Sequence, residues 1–362
     1  MKLIVDCRMI DASGVGVYIR GCLPYFLNSS HQCILLGDAE KLTPLIKPYK
    51  NAESIPCTIK PFSVQELLFF PRRIKNRINT ADLFYSPFFN IPPGIRVPVY
   101  TTIHDIIFPD MPELFSPAGL ALRMVFLKRA YRRSTKIFTV SGFSKSRIEH
   151  FLGNDKPVIV TYSAVLPSLL EQDIENTKKK SFILFIGNIK KHKGLWCLLD
   201  AFFRAKAEGL REKLIIVGNK DNFRSSDTEA LKKLEGIDPS LVEFTGHISE
   251  TQLKELLTEA ALLVQPSLYE GFGLPPLEAM TRGARVLISD IPVFKEIYAD
   301  FPVVFFRAGD SGDLKKKLME LLSQKEPERM VLPGFLSSKY TFKKTASLIL
   351  DGLTGSAAGG VD

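Results

Sequence analysis

Two carboxylates, Glu270 and Glu278, bracket the stretch YEGFGLPPLEAM (residues 269–280), which carries no other charge. The run ALLVQPS before it reads as a buried strand, LYEGFG as its exit, and PPLEAMTRG as a helix with proline at its first positions, where a missing N–H costs nothing. Glu270 therefore belongs to a loop and Glu278 to the first turn of a helix. The bare amides and positive end of that helix favour a diphosphate, and Gly271 and Gly273 let a ligand touch main chain. Carboxylates at the two ends of such a cradle accept hydrogen bonds from hydroxyls on either side of the phosphates, as a nucleoside diphosphate sugar would offer.

Three other loops hold similar chemistry. In FIGNIKKHKGLWCLLDAF a strand ends at Gly187 and a helix begins near Gly194, so Lys190, Lys191, His192 and Lys193 crowd a turn suited to phosphate. In TTIHDIIFPDMPELFSP, His104 and Asp105 leave a strand together, an imidazole beside a carboxylate. In DASGVGVYIR, Gly14 and Gly16 follow the first strand and precede a helix, where glycine allows a tight turn and close approach to helix amides.

The elements that position these loops are unbroken apolar runs. KLIVD, CILLG, LFYS, VYTTIHD, KIFTVS and VIVTY come first, then SFILFIG, KLIIVG, VEFTG, ALLVQPS, RVLIS and VVFF, with helical patterns between them. Such runs indicate parallel sheets covered on both faces. At 362 residues the chain suits two domains, so the expectation is α/β with two doubly wound Rossmann-like domains. The boundaries fall at 1–165 and 181–338, with a polar linker at 166–180 and a flexible tail at 355–362. In such sheets ligands sit beyond the carboxyl ends of the strands, at a topological switch point.

Composition narrows the setting. Five dispersed cysteines without a CxxC pair argue against disulfides or structural zinc and favour a reducing, cytoplasmic compartment. The start has no signal-peptide core, and nowhere do about 18 apolar residues run together. The net charge of +9 points to an anionic partner. Basic residues adjoin apolar ones in LLFFPRRIKNR and in LRMVFLKRAYRRSTK, a pattern of solvated helix faces or of a membrane-surface patch. No nucleic-acid-binding motif accompanies the charge.

Together, E-GFGLPPL-E, DCRMIDASGVGVYIR, TIHDIIF, VSGFSKSRI and VEFTGHISETQLKELLTEAALLVQPS resemble retaining glycosyltransferases of family 4 (glycosyltransferase group 1), across nearly the whole chain. The resemblance implies the GT-B fold, two Rossmann-like domains facing across a cleft, with a helix at 339–353 crossing back to the first. It implies that Glu278 holds the donor ribose and that Glu270 faces the transferred sugar. Main chain at Gly271, Phe272, Gly273 and Leu274 would contact sugar and phosphate. Lys193 falls on the diphosphate-binding lysine, and His192 stands where relatives commonly have arginine. Gly14, with Gly16 beside it, would lie under the diphosphate, His104 and Asp105 near the sugar, and Gly246, His247 and Ile248 near the base. Glu270, Lys193 and His104 are the expected catalytic residues.

The subgroup most similar is bacterial mannosyltransferases that build surface polysaccharides such as lipopolysaccharide from GDP-mannose. No DxD pair occurs, so the sequence indicates no divalent metal and no cofactor beyond the donor itself. The expected partners are a nucleotide-sugar donor and a glycan or lipid-linked glycan acceptor, with no nucleic acid. The basic-apolar stretches at 66–77 and 123–136 would bring the first domain to the inner face of the membrane. A UDP-sugar donor, a GT-B epimerase and a non-catalytic nucleotide-sugar-binding protein remain alternatives.

Overall fold

The computed structural model describes residues 1–170, 180–218, 236–323 and 330–355. Most of the expected linker, 171–179, and the expected tail beyond Gly355 lie outside the described residues. The chain divides into two compact units: Met1–Leu166 together with the segment from Tyr340, and Pro167–Lys339.

The first unit is built on seven parallel strands: β1 (Lys2–Asp6), β2 (Gln32–Gly37), β3 (Ala52–Pro56), β4 (Leu83–Ser86), β5 (Val99–Thr102), β6 (Ser134–Thr139) and β7 (Val158–Val160). Their order is β3-β2-β1-β4-β5-β6-β7. Leu3, Ile4, Phe84, Ile137 and Phe138 are buried without exposure, as strands covered on both faces require. Strand β3 is absent from the sequence reading because AESIP has no apolar run; an edge strand needs only one protected flank. The helix Ser13–Leu27 starts earlier than expected, so Gly14 and Gly16 lie inside its first turn rather than in a loop before it. Gly16 is sterically required, since a Cβ there would fall 2.4 Å from the Ile10 carbonyl oxygen, whereas the space beside Gly14 is open.

The C-terminal helix Phe342–Thr354 belongs to this unit. It lies along Ser13–Leu27, with the Phe342 and Tyr18 rings 6.4 Å apart, and the Lys136 ammonium donates to the Gly352 carbonyl at 3.0 Å.

A buried charge network closes the carboxyl end of β1. Arg8 forks onto Asp6, Nε to Oδ1 at 2.9 Å and Nη2 to Oδ2 at 2.6 Å, and its Nη1 lies 2.7 Å from Glu66 Oε1. Glu66 also accepts from Asn90 Nδ2 and from the Phe62 backbone N–H. Burial alone would lower the Arg8 pKa, but Asp6 and Glu66 outweigh it and raise it, so the guanidinium stays charged. Removing one member of such a set strands the others without solvent.

The second unit carries β8 (Lys180–Ile186), β9 (Lys213–Val217), β10 (Val242–Gly246), β11 (Ala260–Gln265), β12 (Arg285–Ser289) and β13 (Val303–Phe306). All pair in parallel, in the order β10-β9-β8-β11-β12-β13. All carboxyl ends therefore share one edge. The connection reverses direction between β8 and β11, so the switch point lies between the loops that follow them.

Arg8→Ala is expected to lower the stability of the first unit by about 3–5 kcal/mol, because Asp6 and Glu66 remain buried and uncompensated. Denaturant unfolding with a probe in each unit checks this; an unchanged first-unit transition would show that the network contributes no stability.

Candidate active site

The geometry of the second unit starts from two backbones in contact. Gly194 has φ +69°, and a Cβ there would lie 1.8 Å from the Pro266 carbonyl oxygen. Only glycine fits both the angle and the gap. Close by, the Leu268 N–H donates to the His192 carbonyl at 2.7 Å. These contacts join the exit loop of β8 to the exit loop of β11.

Lys191–Lys193 forms a single 3-10 turn, and the helix Leu195–Ala207 follows Gly194. The turn aims the Lys193 ammonium at Glu270, 2.8 Å from both carboxylate oxygens. Ser267 donates its hydroxyl to Glu270 Oε1 at 2.7 Å, and the buried Gln265 amide stands behind it, 3.0 Å from Ser267 Oγ. Gln265 Oε1 is buried and has no hydrogen-bond partner among the described residues. Both charged side chains keep part of their surface exposed, 21% for Lys193 and 10% for Glu270. An ammonium held this way can turn to an incoming phosphate without first being desolvated, and a carboxylate held by two donors is fixed in place.

His192, next to this pair, is not a substitute for arginine. Burial and the neighbouring Lys193 depress its pKa to about 4, against a smaller opposing pull from Glu270. Its imidazole is neutral near pH 7.

The helix expected after the GFG turn spans Leu274–Thr281, with proline in its first turn. Gly273 takes φ +85°, and a Cβ would meet the Phe294 ring at 2.3 Å. Tyr298, buried, donates its hydroxyl to the Gly273 carbonyl. The loop from Glu270 to the helix is thus held from beneath by Phe294 and Tyr298. Phe272 is buried, while Leu274 is half-buried.

The position of Glu278 corrects the sequence reading: it is the fifth helical residue, in the second turn and not the first. It is 6% exposed. Burial, with a smaller contribution from Glu250, pushes its pKa from the ordinary 4.5 to about 7. The structure joins Lys193, His192 and Glu270 into one cluster, whereas the electrostatic neighbour of Glu278 is Glu250 on the helix Glu250–Glu259.

At the same strand edge, Gly246 ends β10 with φ +70° and bridges to Gly218, His247 is exposed and Ile248 half-buried. In the first unit, His104 Nε2 lies 2.8 Å from the Pro87 carbonyl, so Nε2 carries the proton and Nδ1 is the acceptor. Tyr18 meets the imidazole edge-on at 4.9 Å, and burial lowers the His104 pKa. Asp105 Oδ1 accepts from the Ile107 N–H at 3.2 Å, at the start of the turn Ile107–Asp110. Sequence reasoning missed Ser267, Gln265, Phe294 and Tyr298. The polar ending of ALLVQPS, two hydrogen-bonding side chains closing an apolar strand, was the available signal for the first two.

A carboxyl group whose folded pKa lies above its unfolded value destabilises the fold when it ionises. The cost at Glu278 is absent below about pH 4.5, grows between there and about pH 7, and is then constant, reaching about 3 kcal/mol. Glu278→Gln removes the ionisation. Relative to the parent protein its thermal midpoint is expected to rise between pH 5 and 7.5; a pH-independent difference would mean that Glu278 titrates normally.

The model of "Glycosyl transferases group 1" matches residues 169–332. The chain is 31% identical over 200 residues to the O-antigen chain mannosyltransferase RfbU of Salmonella typhimurium, covering 54% of this chain and 53% of that one. It is 31% identical over 115 residues to the GDP-mannose:cellobiosyl-diphosphopolyprenol alpha-mannosyltransferase of Komagataeibacter xylinus, covering 32% and 29%. The chain thus spans about half the length of RfbU. Among solved structures, HepE of Anabaena in complex with UDP-glucose matches with a TM-score of 0.70 at 16% identity, over 98% of this chain and 100% of that one. Residues 169–332, nearly all of the second unit, are thus similar to the group 1 glycosyl transferases, in a chain that has the α/β GT-B fold with two Rossmann-like sheets.

Proposed function

We propose that this chain is a retaining, metal-independent hexosyltransferase that moves mannose from GDP-mannose onto a lipid-linked saccharide in surface-polysaccharide synthesis. The observation that carries the reading is the Lys193–Glu270 pair at the switch point of the second sheet, inside the segment that matches the glycosyl transferases. The activities named for RfbU and for the Komagataeibacter enzyme support mannose, and the latter supports GDP-mannose and a diphosphopolyprenol acceptor. The absence of a DxD pair supports metal independence. Such an acceptor implies action at the cytoplasmic face of a membrane.

In this mechanism the acceptor hydroxyl oxygen bonds to the anomeric carbon from the face the leaving group departs. The bond from that carbon to the phosphate oxygen breaks with its electron pair on the oxygen, which takes the acceptor proton. Lys193 and the amides at the starts of Leu195–Ala207 and Leu274–Thr281 stabilise the charge on the departing diphosphate. Glu270, fixed by Ser267, positions the sugar and stabilises positive charge at the anomeric carbon without bonding to it. Glu278 takes the ribose hydroxyls, and the main chain from Gly271 to Leu274 takes sugar and phosphate. Gly246, His247 and Ile248 adjoin the base. For the first unit the reading keeps what the family resemblance implies, Gly14 and Gly16 toward the diphosphate and His104 and Asp105 toward the sugar.

Lys193→Ala is expected to lower turnover about 10²–10³-fold, as loss of one preorganised donor does. Near-normal turnover would remove Lys193 from the reaction. In EDTA, GDP-mannose at 100 times its dissociation constant is expected to stabilise the protein by about 2.7 kcal/mol, read as a thermal shift, with UDP and ADP conjugates inert. A shift with UDP-glucose alone would change the donor. Isomerisation of the donor without acceptor would establish an epimerase, and donor binding without transfer to any glycan a binding protein.

A further inference from the structure

The helix Val64–Phe69 in the first unit is inverted in polarity. Its one buried residue is charged, Glu66, while Val64, Leu68 and Phe69 are 68%, 69% and 71% exposed. A helix of a soluble unit turns its apolar face inward; this one is held the other way. Glu66 is fixed from inside by Arg8, Asn90 and the Phe62 N–H, and Phe62 itself takes the uncommon φ +63°. The buried network therefore pins the apolar residues outward.

A second exposed apolar pair, Leu122 and Val125, lies on the helix Pro117–Arg133. The next residue, Phe126, meets the Phe62 ring at 5.4 Å, which ties the two apolar surfaces together. Of the thirteen large apolar residues exposed among the described residues, six lie in these two helices, so the exposure is concentrated. Residues 67–79 and 117–136 contain Arg72, Arg73, Lys75, Arg77, Arg123, Lys128, Arg129, Arg132, Arg133 and Lys136 and no acidic residue. The two stretches themselves carry charge of one sign, with Arg77 paired to Glu53 outside them.

We infer that this face of the first unit is a preformed membrane-docking surface, in which Leu68 and Phe69 with Leu122 and Val125 enter the headgroup boundary of an anionic bilayer and the flanking arginines and lysines contact its phosphates. Apolar groups rigidly exposed beside two stretches rich in arginine and lysine match an anionic, apolar-cored layer. A second copy of this face would repeat the positive charge and be repelled. The inference extends the lipid-linked acceptor proposed above, but its test uses neither donor nor acceptor, so transfer activity and docking can fail separately.

The test is sedimentation of the full chain with vesicles of phosphatidylcholine alone and of phosphatidylcholine with phosphatidylglycerol, at low and high salt. Binding is expected only to the anionic vesicles and to weaken with salt. Leu68→Glu with Phe69→Glu is expected to weaken it roughly tenfold or more, as is Leu122→Glu with Val125→Glu. Phe335→Glu, an exposed aromatic in the second unit, should leave binding unchanged. Arg72→Gln with Arg73→Gln provides a variant that keeps the apolar residues and should bind less and show a shallower salt dependence. Thermal midpoints confirm that each variant is folded. Equal binding to neutral vesicles, no binding at all, or full binding by the folded glutamate variants overturns the inference. So does a concentration-dependent dimer, by gel filtration, that Leu68→Glu abolishes, since a second copy would then cover the face.

Discussion

The backbone of Gly194 lies against that of Pro266 with no room for a side chain between them. This contact sets the distance between the two loops at the switch point, and much of the second unit's chemistry depends on it. Because the loops are joined at the main chain, the Lys193 ammonium reaches Glu270 without strain, and a carboxylate on one loop neutralises a cation on the other. A larger residue at 194 would separate them. The parallel sheet supplies the edge, but this steric constraint places two opposite charges there.

The two units bury charge in different ways. In the first, Arg8 is enclosed and its donors are met by Asp6, Glu66 and the Ile59 carbonyl. Such a group, its side chain only 2% exposed, is closed to a ligand, and its role is to hold β1, the Phe62 turn and the helix Val64–Phe69 in one arrangement. In the second, Lys193 and Glu270 keep an exposed side. A partly exposed pair can exchange partners at low cost, as a substrate site requires, whereas the enclosed one acts as a fixture.

What could be read from the sequence follows the range of the interactions concerned. The apolar strands were legible because burial on both faces leaves continuous Val, Ile, Leu and Phe runs. Strand β3 was not, since an edge strand can be AESIP and still pair along β2. Glu270 and Lys193 were legible as candidates from their loops, but their direct pairing was not, because 77 residues separate them and a backbone contact brings them together. Nothing in the sequence marked Asp6 and Arg8 as an interior network, because Glu66, which completes it, is far along the chain. The shift of Glu278 by one residue, from the first turn into the second, came from where the helix begins: Leu274, and not the prolines, is its first residue.

The C-terminal helix Phe342–Thr354 belongs to the first unit, although the second unit lies between them in the chain. The order of synthesis therefore differs from the order of the fold. The second unit is continuous from Pro167 to Lys339 and holds all its strands before the last helix is translated. The first unit, though made earlier, leaves the face of Ser13–Leu27 bare until that helix arrives. On a ribosome the usual sequence, N-terminal domain first, is thus suspended: the leading unit waits for its last element while the trailing one can already close.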